Sequence, residues 1–235
     1  MALCGDAALV LYYDFAGGHA DHDHWHSHEH MHERLRIPGF ARGTRWVALG
    51  GGPRYLIVYE LADEATASSA AYLARLNDPT PWTRAVMGRF RDVTRGVCAV
   101  TASAGVGLGR FALSVRFVPA AGREAALRDR IAGELMPRLA GAAGIAGIHL
   151  LQPAPPPPMT REQSLRGQDS AVGWILLATA YDLAALERAG EDTLAPAALA
   201  RHGCAPGVQA GVYALDFTMS AQDAQRTLPV SPPSR

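Results

Sequence analysis

The chain is poor in cysteine, in net charge and in long apolar runs, and each shortage removes a class of protein. Cys4, Cys98 and Cys204 are widely spaced and form no C-x-x-C pair. An odd, scattered set suits ordinary core positions in a reducing compartment better than a disulfide framework. Lysine plus arginine and aspartate plus glutamate both number 22, so the sequence offers no basic surface to nucleic acid or to an anionic membrane. No apolar run approaches the roughly 20 residues of a membrane-spanning helix, and the N-terminus lacks the pattern of a signal peptide. A cytoplasmic protein that binds neither nucleic acid nor membrane is expected. The sequence has no G-x-S-x-G elbow, and the glycine run Gly105 to Gly109 precedes a strand instead of leading from a strand into a helix, so it is no phosphate loop.

What is present is an order of elements that occurs twice. Ala8 to Phe15 (ALVLYYDF) is β-branched and aromatic and ends at Gly17-Gly18, which predicts a strand. His22 to Leu35 has neither Pro nor Gly and is closed by Pro38-Gly39, which predicts a helix. Gly43 to Leu49 and Arg54 to Leu61 read as strands joined by Gly50-Gly51-Gly52-Pro53, then Glu64 to Leu76 and Pro81 to Phe90 as helical, then Gly96 to Ala102 as a strand. The second pass predicts a strand at Phe111 to Val118 and a helix from Arg123 to Leu139, with Leu127, Ile131, Leu135 and Leu139 on one face and Pro137 kinking or ending it early. Strands Ile145 to Leu151 and Ala171 to Tyr181 flank a proline-rich surface loop, Pro153 to Gln168, with the character of a lid. A helix from Leu183 to His202, broken near Pro196, and a strand from Val208 to Phe217 complete it. Each half is thus a ferredoxin-like βαββαβ unit with one bare sheet face, and packing the two bare faces together predicts an α+β, pseudo-dimeric α/β barrel. The expected division is 1–104, 105–220 and a disordered, polar, proline-rich tail at 221–235.

The chemically unusual segment is His19 to Arg34, which holds seven of the nine histidines. At helical spacing it gives two stripes: His22, His26 and His30 on one face, and His24, His28 and His32 on another beside Met31 and Leu35. Three readings compete. His28-Glu29-His30-Met31-His32 matches H-E-x-x-H, in which two imidazoles one turn apart bind zinc and the glutamate polarises water, although only His149 and His202 remain as histidine third ligands. The stripe is otherwise a solvated polar face, or it turns one histidine into a pocket for acid–base work, with Asp21, Asp23, Glu29 or Glu33 tuning it. Elsewhere, Tyr13, Trp46, Tyr55 and Tyr59 are core aromatics by default and also suit a pocket for flat apolar molecules. Arg34, Arg45 and Arg91 could hold an enolate or carboxylate. His149 reads as a satisfied core or barrel histidine.

The run from Trp25 through Glu29-His30, Glu33-Arg34-Leu35, Pro38-Gly39-Phe40 and Arg42 to Arg45-Trp46 resembles the W-x-x-x-E-H-x-P-E-R-L-x-x-P-G-F-x-R-x-x-R-[YW] pattern of EthD-like proteins, members of the dimeric α/β barrel superfamily. His32 stands where that pattern has proline. The resemblance implies the barrel fold, puts weight on the His30–Glu29 pair, and names no substrate; the superfamily includes cofactor-independent monooxygenases, isomerases, cyclases, dehydratases and heme enzymes. The expectation is a lyase- or isomerase-type enzyme without organic cofactor, acting on a small hydrophobic carbonyl or aromatic compound. His30 would be the base, Glu29 its tuning partner and His26 a proton shuttle, with Arg34, Trp46, Tyr13 and Tyr59 around the substrate. The alternative is a protein binding Zn, Cu, Ni or Fe through His28 and His32, or a ligand-binding accessory without turnover. Self-association to a homodimer is compatible with either.

Overall fold

The computed structural model describes residues 3–50 and 52–226. The first half comprises β1 (Ala7–Phe15), α1 (19–35), β2 (Phe40–Gly50), β3 (Tyr55–Leu61), α2 (Ala70–Asn77), α3 (Pro81–Met87) and β4 (Phe90–Gly105). The second comprises β5 (Phe111–Phe117), α4 (124–140), β6 (Ile145–Pro153), α5 (Arg161–Ser164), β7 (Ser170–Ala171), β8 (Trp174–Ala180), α6 (Leu183–Glu191), α7 (Pro196–His202), β9 (Gln209–Ser220) and α8 (Ala221–Arg226).

Eight strands close into an antiparallel barrel in the order β1-β3-β2-β9-β5-β8-β6-β4, with β4 returning to β1. Two long strands make the closure. β4 pairs with β1 from Phe90 to Ala99 and with β6 from Cys98 to Gly105, and β9 pairs with β5 from Gln209 to Ala214 and with β2 from Val212 to Ser220. The fourth strand therefore begins at Phe90, six residues before the predicted Gly96, because it must serve both neighbours. The predicted strand Ala171 to Tyr181 is split: Ser170–Ala171 adds in parallel to Thr94–Arg95, and Trp174 opens β8. The helical stretch expected from Glu64 starts as a 3-10 turn and restarts at Ala70, where the Ser69 hydroxyl caps the helix by accepting from Tyr72 N–H.

Both sheet faces are covered, which is why β1 reads as a near-continuous apolar run and not as an alternation. Ala8, Val10 and Tyr12 point into the barrel with Trp46, Leu56, Val58, Leu177 and Tyr213, while Leu9, Leu11, Tyr13 and Phe15 point outward under α1 to α3. Tyr12 Oη and Ser114 Oγ, 2.6 Å apart, join the halves across the interior. His149 is buried there as expected, 2.8 Å from Ser103 Oγ, and burial together with Arg42 lowers its pKa to about 4. Trp46 is in this interior too, on the opposite side of the sheet from the histidine helix, so its expected place beside a substrate there is corrected.

The repeat extends to irregularities. α1 contains a π-helical turn at His26–His30 and α4 has one at Ile131–Leu135, 105 residues later. Pro137 consequently falls in the first turn of the segment that follows, where a missing N–H is tolerated, and the helix runs on to Ala140 instead of ending early. Gly39 and Gly144 occupy equivalent turns with φ of 94° and 95°. The surface loop expected at Pro153 to Gln168 is, at 154–169, a strap that crosses to the first half, where α5 packs on α2 and α3 and Arg161 N–H donates to Asn77 Oδ1 at 2.9 Å. Residues 221–226 are helical and not the start of a disordered tail: Ala224 is buried and its carbonyl accepts from Arg36 Nε at 3.0 Å. Gly51 of the hairpin link and residues 227–235 of the tail lie outside the described residues. No helix among the described residues is long and apolar enough to cross a membrane.

A Cβ at Gly39 would meet Thr66 Oγ1 at 2.6 Å, and one at Gly144 would meet Ala185 Cβ at 2.4 Å. Positive φ adds strain for any other residue. Gly39→Ala and Gly144→Ala should therefore each cost about 2 kcal/mol in urea unfolding; two variants within experimental error of wild type would contradict the equivalence of the turns.

Candidate active site

Twelve residues of regular α-helix accumulate about 120° of drift, and the residue inserted by a π turn takes back about 100°. The π turn in α1 therefore keeps His22, His26, His30 and Arg34 on one line facing the sheet, and all four are buried. Of the two stripes expected, this is the inner one.

His22 Nδ1 lies 2.9 Å from Asp23 Oδ1 and its Nε2 2.8 Å from Tyr13 Oη. His26 Nδ1 is 3.3 Å from Arg45 Nη1, and because a guanidinium only donates, His26 carries its proton on Nε2 and gives it to Tyr59 Oη, also at 3.3 Å. The His30 ring packs tilted on Trp25 with centroids 4.4 Å apart, and its buried Nδ1 has no hydrogen-bond partner among the described residues. Burial holds His26 and His30 well below the usual imidazole pKa, with Arg45 adding to the effect on His26 and Arg34 to that on His30. Both rings are neutral at pH 7, the form that can accept a proton.

Between these rings and the sheet is a cavity of about 20 Å³, room for about one water molecule. His26, His30, Tyr13 and Tyr59 line it together with apolar Leu11, Ile57, Met87 and Phe90, and Arg166 closes it from the 154–169 strap. Arg166 is anchored to Asp169 through two hydrogen bonds of 2.9 and 2.7 Å. The same strap supplies Glu162, whose carboxylate takes both hydrogen bonds from Arg34 Nη2 in a fully buried ion pair. Arg34 is thereby spoken for and stands behind the cavity rather than in its wall.

The structure brings together His30, His26, Tyr13 and Tyr59 of the expected site and separates the rest. Glu29 Oε1 accepts from the hydroxyls of Thr80 at 2.6 Å and Thr83 at 3.1 Å, fixing α1 to α3, and no hydrogen bond joins Glu29 to His30 among the described residues. Glu29 is also the carboxylate that would complete H-E-x-x-H, and the threonines occupy it. His28 Nδ1 donates to the His24 carbonyl at 3.0 Å, and His32 is buried near Arg36. Among the described residues no three His, Cys, Asp or Glu side chains converge as a metal site. The donors at His28 and His32 do not fit a zinc-hydrolase centre, which takes three protein ligands.

The second half acts as an internal control. Positions equivalent to His22, His26, His30 and Arg34 are Leu127, Ile131, Leu135 and Leu139, all buried. Strand register equates Tyr13 with Phe117 and Tyr59 with Ala178. Six polar positions are thus apolar in a copy of the same scaffold, so the fold does not require them. Desolvating imidazoles and a guanidinium costs free energy, so packing alone does not account for the stripe. Setting one half over the other would have found His22; no local pattern announces Glu162, which is 128 residues from Arg34, or Arg166.

No protein-family profile and no curated protein matches the chain. Among solved structures it is similar to an anthrone oxidase-like protein, at 12% identity over 95% of this chain and 97% of that one, with a TM-score of 0.65. A candidate monooxygenase from Lactobacillus acidophilus NCFM follows at 7% identity, 92% and 96% coverage and 0.58. A candidate chlorite dismutase, TA0507, gives 14%, 94% and 99%, and 0.53. The fold is the ferredoxin-like dimeric α/β barrel. In this chain both halves of the barrel are covalently joined, and at such low identity the likeness concerns architecture alone.

Two outcomes test the site's energetics. Removing the carboxylate in Glu162→Ala leaves buried Arg34 with only the more distant Glu33 carboxylate at 3.9 Å, which should cost about 3 kcal/mol, and Arg34→Leu/Glu162→Ala should recover most of it, because leucine fills the equivalent place in the other half. A double variant as unstable as the single one would contradict this. Histidines with a folded pKa below the unfolded value of about 6.5 stabilise fully above that pH, and the benefit is lost as pH falls and the unfolded chain takes up protons. Urea unfolding should therefore show stability dropping from pH 7 to 5, with a shallower slope in His30→Leu; equal slopes would refute the burial of a neutral His30.

Proposed function

We propose that the chain is a small-molecule enzyme of EthD-like type, working without organic cofactor on a hydrophobic ketone or phenol. The segment that resembles EthD-like proteins, Trp25 to Trp46, is the one that supplies the cavity's helix and the turn after it. His30 is the base: its neutral ring borders the cavity and removes a proton from carbon next to a carbonyl, or from a phenol. The enolate or phenolate then lies beside the Arg166 guanidinium, which balances its charge. Apolar and aromatic walls exclude water and select a flat, hydrophobic substrate. Collapse of such an anion by reprotonation at another atom, loss of a leaving group or ring closure corresponds to isomerisation, dehydration, lysis or cyclisation. An anthrone, named for one structural neighbour, is itself a ketone with an acidic C–H. Substrate entry requires the 154–169 strap to move, since the closed cavity is too small.

The observation that carries the reading is the replacement of the cavity residues Tyr13, His26, His30 and Tyr59 by Phe117, Ile131, Leu135 and Ala178 in the second half. The probe is 3-cyclohexen-1-one, whose conversion to the conjugated 2-cyclohexen-1-one begins by loss of the proton next to the carbonyl and is followed by ultraviolet absorbance. Wild type should accelerate it over buffer. His30→Gln should lose about a hundredfold with its melting temperature maintained. A wild type that binds the ketone without converting it would make the protein an accessory binder, and an unimpaired His30→Gln would remove His30 from the chemistry.

A further inference from the structure

We propose that Tyr13, His22 and Asp23 form a proton relay that returns the base of this pocket to its neutral state. The inference rests on the enzymatic reading above and extends it to three side chains placed around one wall.

Asp23 Oδ1 is 2.9 Å from His22 Nδ1 and also accepts the Tyr55 hydroxyl at 2.9 Å, with Arg45 Nε 3.8 Å away. A carboxylate beside a guanidinium is ionised and only accepts, so the proton of neutral His22 is on Nδ1. The opposite nitrogen, Nε2, therefore has its lone pair free and takes the Tyr13 O–H at 2.8 Å. Tyr13 and His22 are both fully buried, and the Tyr13 ring borders the cavity that His30 also borders. The arrangement repeats the logic of a hydroxyl, an imidazole and a carboxylate in series, with a phenol in place of the serine. In the second half the three positions are Phe117, Leu127 and Arg128, so the series exists only where the cavity is polar.

After His30 has taken the substrate's proton, that N–H breaks as an O–H forms on Tyr13, across the cavity they share. The original Tyr13 O–H breaks as N–H forms on His22 Nε2. The resulting imidazolium is held by Asp23, which is 31% exposed and passes the extra proton to solvent; the same transfers run in reverse bring a solvent proton to His30, which gives it to C4 of the dienolate as that C–H bond forms and is left neutral. Each step breaks one bond to hydrogen and forms one, and no oxidant is involved. Tyr13 is the catalytic residue of the series; His22 and Asp23 position and charge-balance it.

The relay decides whether the abstracted proton meets solvent, and this can be read apart from rate. When 3-cyclohexen-1-one is converted in D2O, wild-type product should carry deuterium at C4, because the relay exchanges the proton. Tyr13→Phe and Asp23→Asn should give product that has kept the substrate's own hydrogen there, with at least a fivefold lower deuterium content. Phenylalanine is the residue of the other half, so Tyr13→Phe is expected to fold, and its melting temperature verifies it. Nitrogen-15 NMR of the imidazoles in the full chain, with no substrate present, should show His22 protonated on Nδ1 in wild type. Wild-type deuterium content in Tyr13→Phe, or a wild-type His22 protonated on Nε2, would overturn the relay. Failure of wild type to convert the probe would instead remove the enzymatic reading, while the NMR result still decides the hydrogen-bond order.

Discussion

Closure of the barrel is the constraint from which the other features follow. β4 and β9 each run from one half into the other, so every strand of the barrel has neighbours on both edges and both of its faces must be filled. The inward residues pack into a shared interior that includes the Tyr12–Ser114 hydrogen bond. The outward residues are left to the helices, one set for each half. Because the interior is closed and packed, the cavity lined by His26 and His30 is outside the sheet, under α1.

The sequence treats the corresponding places under α1 and α4 differently. Under α4 the helix presents leucine and isoleucine to the sheet; under α1 it presents three histidines and an arginine at the same positions. The π turn keeps either stripe in line, so the geometry is common and the chemistry is local. The strap from the second half then completes the polar site by bringing Glu162 to Arg34 and Arg166 to the cavity. A tandem chain can do this asymmetrically, with one half retained as scaffold and the other specialised.

The fold was legible because strand and helix signals repeat and because β1 reads as a strand buried on both sides. The two stripes were legible from the four-residue spacing, but which of them faces the sheet was left open until the π turn set His22, His26 and His30 against it. Trp46 was misplaced by one side of the sheet, an ambiguity inherent in a strand whose two faces are both apolar. Glu29 was drawn to His30 by adjacency and by a motif, whereas neighbours in a helix point about 100° apart and Glu29 finds the threonines of α3. The strap's contribution depends on contacts more than a hundred residues apart, which no periodicity encodes.

The central claim is that His30 is retained for chemistry at the expense of stability. Its Nδ1 is buried and has no hydrogen-bond partner among the described residues, so His30→Leu, which copies Leu135, removes a desolvated imidazole and leaves an apolar side chain of similar size. Urea unfolding at pH 7 of His30→Leu beside wild type, with conversion of 3-cyclohexen-1-one measured on the same samples, is the direct test. The account predicts a variant at least as stable as wild type that has lost the conversion; a variant less stable by about 2 kcal/mol with its conversion intact would contradict it.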